Sequence, residues 1–171
     1  MKILKKSIYY SFLCLALIVS SCSSSDDDGT GGDDGSGTSG DEFLTAKVDG
    51  ADYAAAQDPA VIVGAQIAGS ILIFQGGTNE GVTIQGTING YNGVGTYTTG
   101  DDITNTNSLN YITVTPVALW GSTFNIGSGT IEITSDDGTT IEGTFSFEGF
   151  NASDSTTKTI TNGSFKAILD N

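Results

Sequence analysis

Between residues 41 and 170 apolar and polar positions alternate in short runs, broken by Gly, Asn and Asp. Val, Ile, Thr, Phe and Tyr dominate these runs, and no long stretch carries the helical period, so the pattern predicts strands. Glu42–Val48 is the first, and Asp49-Gly50 is a two-residue hairpin signal. That turn predicts Val48 opposite Ala51, Lys47 opposite Asp52 and Ala46 opposite Tyr53, with an opposite-charge pair on one face and an aromatic on the other. Ala54–Asp58 is expected to make a helical turn before Pro59. Ala60–Ile67 and Ser70–Gln75 are apolar on both faces, as central strands covered twice would be. Val82, Ile84, Gly86 and Ile88 alternate with Thr83, Gln85 and Thr87, the mark of a half-buried strand.

Further strands are expected at Gly95–Thr99, with Tyr97 facing inward, at Leu109–Thr115 and at Val117–Ile126. The hairpin Gly129–Ser135, Asp136-Asp137-Gly138, Thr139–Phe147 carries Ile131, Ile133, Ile141, Phe145 and Phe147 on one face. A three-residue loop sets Ile133 against Ile141, Ile131 against Gly143 and Glu132 against Glu142. Gly143 leaves a gap that Trp120 or Tyr97 is expected to cover. A loop over Phe150–Thr157 precedes a last run, Lys158–Leu169, in which Asn162-Gly163 reads as either a hairpin turn or a bulge. Nine to eleven short strands in about 130 residues predict an all-β antiparallel sandwich or small barrel.

Ahead of this region the texture differs. Lys2, Lys5 and Lys6 precede an apolar stretch from Ile8 to Val19, and small residues then lead into Cys22. The stretch is shorter than the roughly 20 residues of a spanning helix and reads as a secretory signal. Val19-Ser20-Ser21-Cys22 resembles the lipobox of bacterial lipoproteins, which implies cleavage after residue 21 and lipidation of Cys22. Several acyl chains on one residue, at about 0.8 kcal/mol per buried CH₂, make a stable anchor. Residues 23–40 contain only Ser, Asp, Gly and Thr; they have no apolar side chain to offset ordering, so a disordered tether of roughly 23 Å root-mean-square reach is expected. Ser25-Asp26-Asp27-Asp28 resembles the acidic export signal of Bacteroidota lipoproteins and implies the extracellular face of the outer membrane. The expected divisions are therefore a signal peptide at 1–21, a lipidated tether at 22–40 and a β domain at 41–171.

Charge narrows the chemistry. With residues 1–21 removed, Lys47, Lys158 and Lys166 stand against twenty carboxylates, about −17 from side chains. Such a surface excludes nucleic acid, which needs cations to displace counterions. His and Arg are absent, and Cys22 would be the last thiol; nucleophile–base catalysis and a Cys/His zinc site lack their residue types. No catalytic residue and no cofactor are expected. The Glu132–Glu142 pair is at the separation a retaining glycosidase uses, but on a solvated strand face. Asp101-Asp102, Asp136-Asp137 and Asp26–Asp28 offer hard oxygen ligands for calcium, without an EF-hand pattern. Asp154-Ser155-Thr156 resembles a short O-glycosylation motif, which implies Ser155 as acceptor. Trp120, Tyr97 and Tyr111 are the candidate ligand contacts, with Tyr91 and Phe150 as further aromatics.

Phe43-x-x-Ala46-Lys47-Val48-Asp49-Gly50, Gly95-Thr96-Tyr97, Gly129-Thr130-Ile131-Glu132-Ile133-Thr134, Gly143-Thr144-Phe145-Ser146-Phe147 and Ile160-Thr161-Asn162-Gly163-Ser164-Phe165 resemble one family. It is the Bacteroidota lipoproteins of unknown function grouped under DUF6252, and the likeness covers most of residues 42–168. Tyr53 stands where that family suggests tryptophan. The resemblance implies a β-rich lipoprotein domain and supplies no activity. The expected role is non-catalytic, with a glycan, a peptide or an envelope protein as partner. The alternatives are a lipocalin-like carrier of a small apolar ligand and a carboxylate-dependent glycan hydrolase.

Overall fold

The computed structural model describes residues 42–56 and 63–170. The signal peptide, Cys22, the tether with Asp26–Asp28, and Pro59 lie outside the described residues. Eleven strands follow in chain order: β1 (Phe43–Val48), β2 (Ala51–Ala54), β3 (Gly64–Ala68), β4 (Ile71–Gly77), β5 (Thr83–Asn89), β6 (Gly95–Thr99), β7 (Ser108–Val114), β8 (Val117–Thr123), β9 (Ser128–Asp136), β10 (Thr140–Asn151) and β11 (Thr156–Asp170). Their order is β2-β1-β11-β3-β4-β5-β7-β8-β10-β9-β6, and a β10–β11 pairing closes seven of them into a ring.

Two seams of that ring are thin. β11 meets β3 in parallel over Leu169↔Ala65 and Asp170↔Gln66, and β8 meets β10 at Phe150↔Gly121. The ring therefore works as two layers, a six-stranded sheet β2-β1-β11-β10-β9-β6 and a five-stranded meander β3-β4-β5-β7-β8. Every pairing except β11–β3 is antiparallel. The expected choice between sandwich and barrel resolves into a ring with two layers facing one another.

Alternation supplies the core. Ile131 and Ile133 of β9, Ile141, Phe145 and Phe147 of β10, and Phe165 of β11 point inward and are buried. Leu72 and Phe74 of β4, Ile84 and Ile88 of β5, and Leu109 of β7 meet them from the other layer. Phe74 stacks on Phe165 with ring centroids 4.0 Å apart and planes at 5°. Each large ring lies over a glycine directly across from it, as Phe74↔Gly86, Phe165↔Gly143 and Phe145↔Gly163. A Cβ on Gly143 would stand 2.8 Å from the Phe165 ring, and one on Gly163 2.5 Å from that of Phe145. The gap at Gly143 is thus covered by Phe165, and not by Trp120 or Tyr97 as the sequence suggested.

The β1–β2 hairpin has the predicted register, with Asp49 at φ 51° and Gly50 at φ 85°. The β9–β10 hairpin does not. Glu132 lies opposite Thr144, and Glu142 lies opposite Ser135, so the Glu132–Glu142 pair is not formed. The cause is the turn: the Asp137 carboxylate accepts the N–H groups of Thr139 (2.8 Å) and Thr140 (2.7 Å), which displaces the turn toward the C-terminus so that Asp136 pairs with Ile141 and Glu142 meets Ser135, three residues from the expected partner. Left uncorrected, that step would turn Ile131 and Ile133 outward; a bulge beside Ile133 restores the inward face.

β3 and β4 also differ from expectation. They alternate like the rest, with Ile71 37% exposed and Ile73 half-buried on the outer face. Both are covered on one face because the sheet has two layers and no third. Residues 54–56 make no helical turn; Ala55 and Ala56 donate to Leu44 and Gly77 carbonyls. β8 ends at Thr123, before Phe124 at φ 53°, and the β10–β11 connection is shorter than the expected Phe150–Thr157 loop. Asn162-Gly163 is a bulge, with Asn162 at φ 53° and β11 stepping past both β1 and β10 there.

Candidate functional site

Two places gather the side chains able to do chemistry: an aromatic–lysine cluster and the outer face of the six-stranded sheet.

In the first, Tyr111 of β7 pairs across the strands with Trp120 of β8, centroids 5.8 Å apart. Tyr53 meets Tyr111 edge-on at 6.5 Å. The Lys158 ammonium lies 5.2 Å from the Trp120 ring and 5.8 Å from that of Tyr111, within cation–π range. It also binds Asp49 at 2.8 Å, and this partner holds the Asp49 carboxyl below the usual carboxylate range. Trp120 is buried, and its indole N–H donates to Thr156 Oγ1 at 2.8 Å. The Tyr53 hydroxyl lies 2.6 Å from the Gly76 carbonyl and 3.1 Å from that of Val82; burial raises its pKa well above the ordinary phenol value. The structure therefore brings Tyr111 and Trp120 together, and their rings are occupied by the protein's own contacts.

Tyr97 sits apart from that pair. Its ring packs against Tyr91 at 5.9 Å, and its hydroxyl lies 2.7 Å from the Gly93 carbonyl. Tyr91 donates to Asp136 at 2.6 Å; burial, and then that carboxylate, raise the phenol's pKa. Phe150 is half-buried on β10, opposite Thr157.

The acidic loops are likewise engaged in structure. Asp101 accepts from Thr98 (2.6 Å) and Asn105 (2.6 Å), and Asp102 from Thr104 (2.6 Å). These hydrogen bonds hold both carboxyls below their usual range. Among the described residues no three His, Cys, Asp or Glu side chains stand together as a metal-binding group. Ser155 is exposed at the β10–β11 turn, where Asp154 accepts from the Thr156 hydroxyl at 2.7 Å.

On the six-stranded sheet the same alternation that buries Ile131, Phe145 and Phe147 sets hydroxyls outward. Thr98, Thr130 and Ser146 are successive neighbours across β6, β9 and β10. Thr96, Glu132, Thr144, Ser164 and Thr45 form a second row, reaching β1. Neighbours in a row are about 5 Å apart at Cβ, and rows about 7 Å apart. Two depressions of about 360 and 610 Å³ lie on this face and share Thr130, Ser146 and Thr161, so they form one trough. The bulge at Asn162 bends β11 beside it.

No described residue partners the hydroxyls of Thr130, Thr144 or Ser146, or the carboxylates of Glu132 and Glu148. Every lysine of the described region is ion-paired: Lys47 with Asp52 (2.6 Å), Lys158 with Asp49 (2.8 Å), Lys166 with Glu142 (3.2 Å). Lys47, opposite Thr161, and Lys166, two residues past Ser164, flank the trough on the same face, while its lining offers hydroxyls that donate and accept and carboxylates that accept. Sequence reading passed over it because Thr on an outward strand position is ordinary β-propensity; a run of such positions on adjacent strands becomes visible only with the register.

No curated protein and no solved structure matches this chain. A family model described as a domain of unknown function does match, over residues 41–169, and the chain belongs to that family, DUF6252.

Proposed function

We propose that this chain is a non-catalytic binding module held on the extracellular face of the outer membrane by a lipidated Cys22, and that it meets its partner through the trough on the six-stranded sheet. The observation that carries the binding role is the trough's unpartnered hydroxyls and carboxylates, in a domain where Tyr53, Tyr91, Tyr97, Tyr111, Trp120 and the lysines already have internal partners. Lys2, Lys5 and Lys6, the apolar stretch to Val19 and the box ending at Cys22 support the anchor. The exposed position of Ser155 at a turn supports its reading as an O-glycan acceptor.

The test of the anchor is the mass of the N-terminal peptide from natively produced protein. Loss of residues 1–21 with acyl chains on Cys22 is expected, and Cys22→Ser should release the protein from the membrane fraction. A retained leader or an unacylated Cys22 would defeat the location. Chemical cross-linking on intact cells, with Ser146→Cys carrying the reagent, tests the contact face: adducts are expected from position 146 and not from a Gln85→Cys control on the other sheet.

A further inference from the structure

We infer that the trough takes a neutral, polyhydroxylated ligand, an oligosaccharide without acidic groups. This rests on the proposed binding role of that face and names its ligand class.

Charge decides the first part. Glu132 and Glu148 border the trough without any salt bridge, Asp101 stands at one end, and no lysine or arginine lines it. An anionic sugar, a phosphate or a sulfate would meet these carboxylates first, and the two lysines that flank the trough, Lys47 opposite Thr161 and Lys166 two residues past Ser164, are already neutralised by Asp52 and Glu142. The arrangement of the acids decides the second part. Glu132 lies opposite Thr144, and Glu148 is four residues further along β10, about 13 Å away, with Thr130 and Ser146 between them. A basic peptide calls for carboxylates grouped around each ammonium or guanidinium, whereas here hydroxyls fill the interval. Each hydroxyl can both donate and accept, and each carboxylate can accept from two adjacent sugar hydroxyls, which matches a chain of vicinal diols. Continuity decides the third. The two depressions share Thr130, Ser146 and Thr161, so the ligand that fits is extended over several residues. The exposed aromatic of this face, Phe43 on β1, stands outside both depressions, so affinity comes from hydrogen bonds that replace bound water. A single site is then weak, with Kd of about 0.1–1 mM, and display of many copies on one surface would raise avidity.

The full chain, in detergent and immobilised, is titrated with cellohexaose, laminarihexaose, xylohexaose, mannohexaose and maltohexaose, with hexagalacturonate as the anionic probe and hexalysine as the cationic one. At least one neutral hexasaccharide should bind, with little change between low and high salt, and hexagalacturonate should not. Thr130→Val combined with Ser146→Ala should weaken binding by about tenfold or more, while Gln85→Ala, on the outer face of the other sheet, should leave it unchanged. Glu132→Gln alone, an exposed change that spares packing, should weaken it by about fivefold and serves if the double variant melts early. Silence from all five neutral probes, or binding that ignores these substitutions, overturns the inference. Salt-sensitive binding of hexalysine alone, lost in the double variant, also overturns it but leaves the trough as a binding face. Loss of the position-146 cross-links overturns the binding face itself.

Discussion

Outside the core the two sheets differ in the balance of their chemistry. The five-stranded meander shows Ile71, Ile73, Ile112 and Leu119 among Gln75, Gln85, Thr83, Thr87 and Asn110, and its β7–β8 turn ends in Val114 (51% exposed) and Val117 (86% exposed). On the six-stranded sheet the exposed apolar side chains, Phe43 and Ile168, lie on β1 and β11 away from the trough, and Thr96, Thr98, Thr130, Thr144, Ser146 and Thr159 hold outward positions. Regularity separates them as well. The pairings β3–β4, β4–β5, β5–β7 and β7–β8 run without a register shift, whereas β1–β11, β10–β11 and β9–β10 each contain one. An unbroken meander supplies a regular wall, and the bulged sheet bends into a surface with a trough. On the proposed function the meander completes the core while the bulged sheet meets the partner.

That contrast can be broken at the core first. Phe165→Ala, from the bulged sheet, removes the ring stacked on Phe74 and covering Gly143, and should cost about 3–5 kcal/mol in urea denaturation. Phe74→Ala, from the meander, should cost the same within error, because the two rings share one interface. A large inequality would mean that one sheet holds its structure without the other.

Smaller effects come from filling the spaces under those rings. Gly86→Ala places a methyl against the Phe74 ring, whereas at Gly143 the methyl meets the Phe165 ring and, closer still, the Glu132 carbonyl; each should destabilise by about 1–3 kcal/mol, with Gly143→Ala the larger. A larger loss at Gly86 would show that the ring contact, and not the backbone of the neighbouring strand, sets the cost.

The smallest effect separates the sheets by pH. Asp49, Asp137 and Asp154 sit in the three turns of the bulged sheet. Lys158 for Asp49, the Thr140 and Thr139 N–H groups for Asp137, and Thr156 for Asp154 lower these carboxyls below the ordinary value. Unfolded carboxyls titrate near pH 4, so the stabilisation is present above about pH 4 and is lost as pH falls through the lower folded values. Hydrogen exchange should therefore show the turns of the bulged sheet opening first in acid, ahead of the β7–β8 turn. At the alkaline end Tyr53 and Tyr91 have raised pKa values, burial being the larger cause for both. Their contribution is full below about pH 10, where unfolded tyrosine titrates, and fades as pH rises above it. Tyr91→Phe should flatten part of that alkaline loss in a thermal melt series.

Some of this architecture was legible residue by residue. The β1–β2 hairpin was, because Asp49-Gly50 admits one turn geometry and the register follows from it. So was the inward face of β9 and β10, since alternation assigns it whatever the exact partner. The Glu132–Glu142 pairing failed because a side-chain contact, Asp137 on the Thr139 and Thr140 amides, reset the loop, and a bulge then compensated. Tyr97 and Trp120 were grouped by residue type, yet one belongs to the outermost strand of the six-stranded sheet and the other to the meander.

By itself, then, the sequence determined strand content, which side chains turn inward and the shortest hairpin, because these depend on neighbours within a few positions. Tertiary structure alone decided which ring covers which glycine, how the ring of strands closes, and that hydroxyls on β6, β9, β10 and β11 share one trough. Those depend on pairings between residues far apart in the chain, where a bulge of one residue changes the partner of every side chain beyond it.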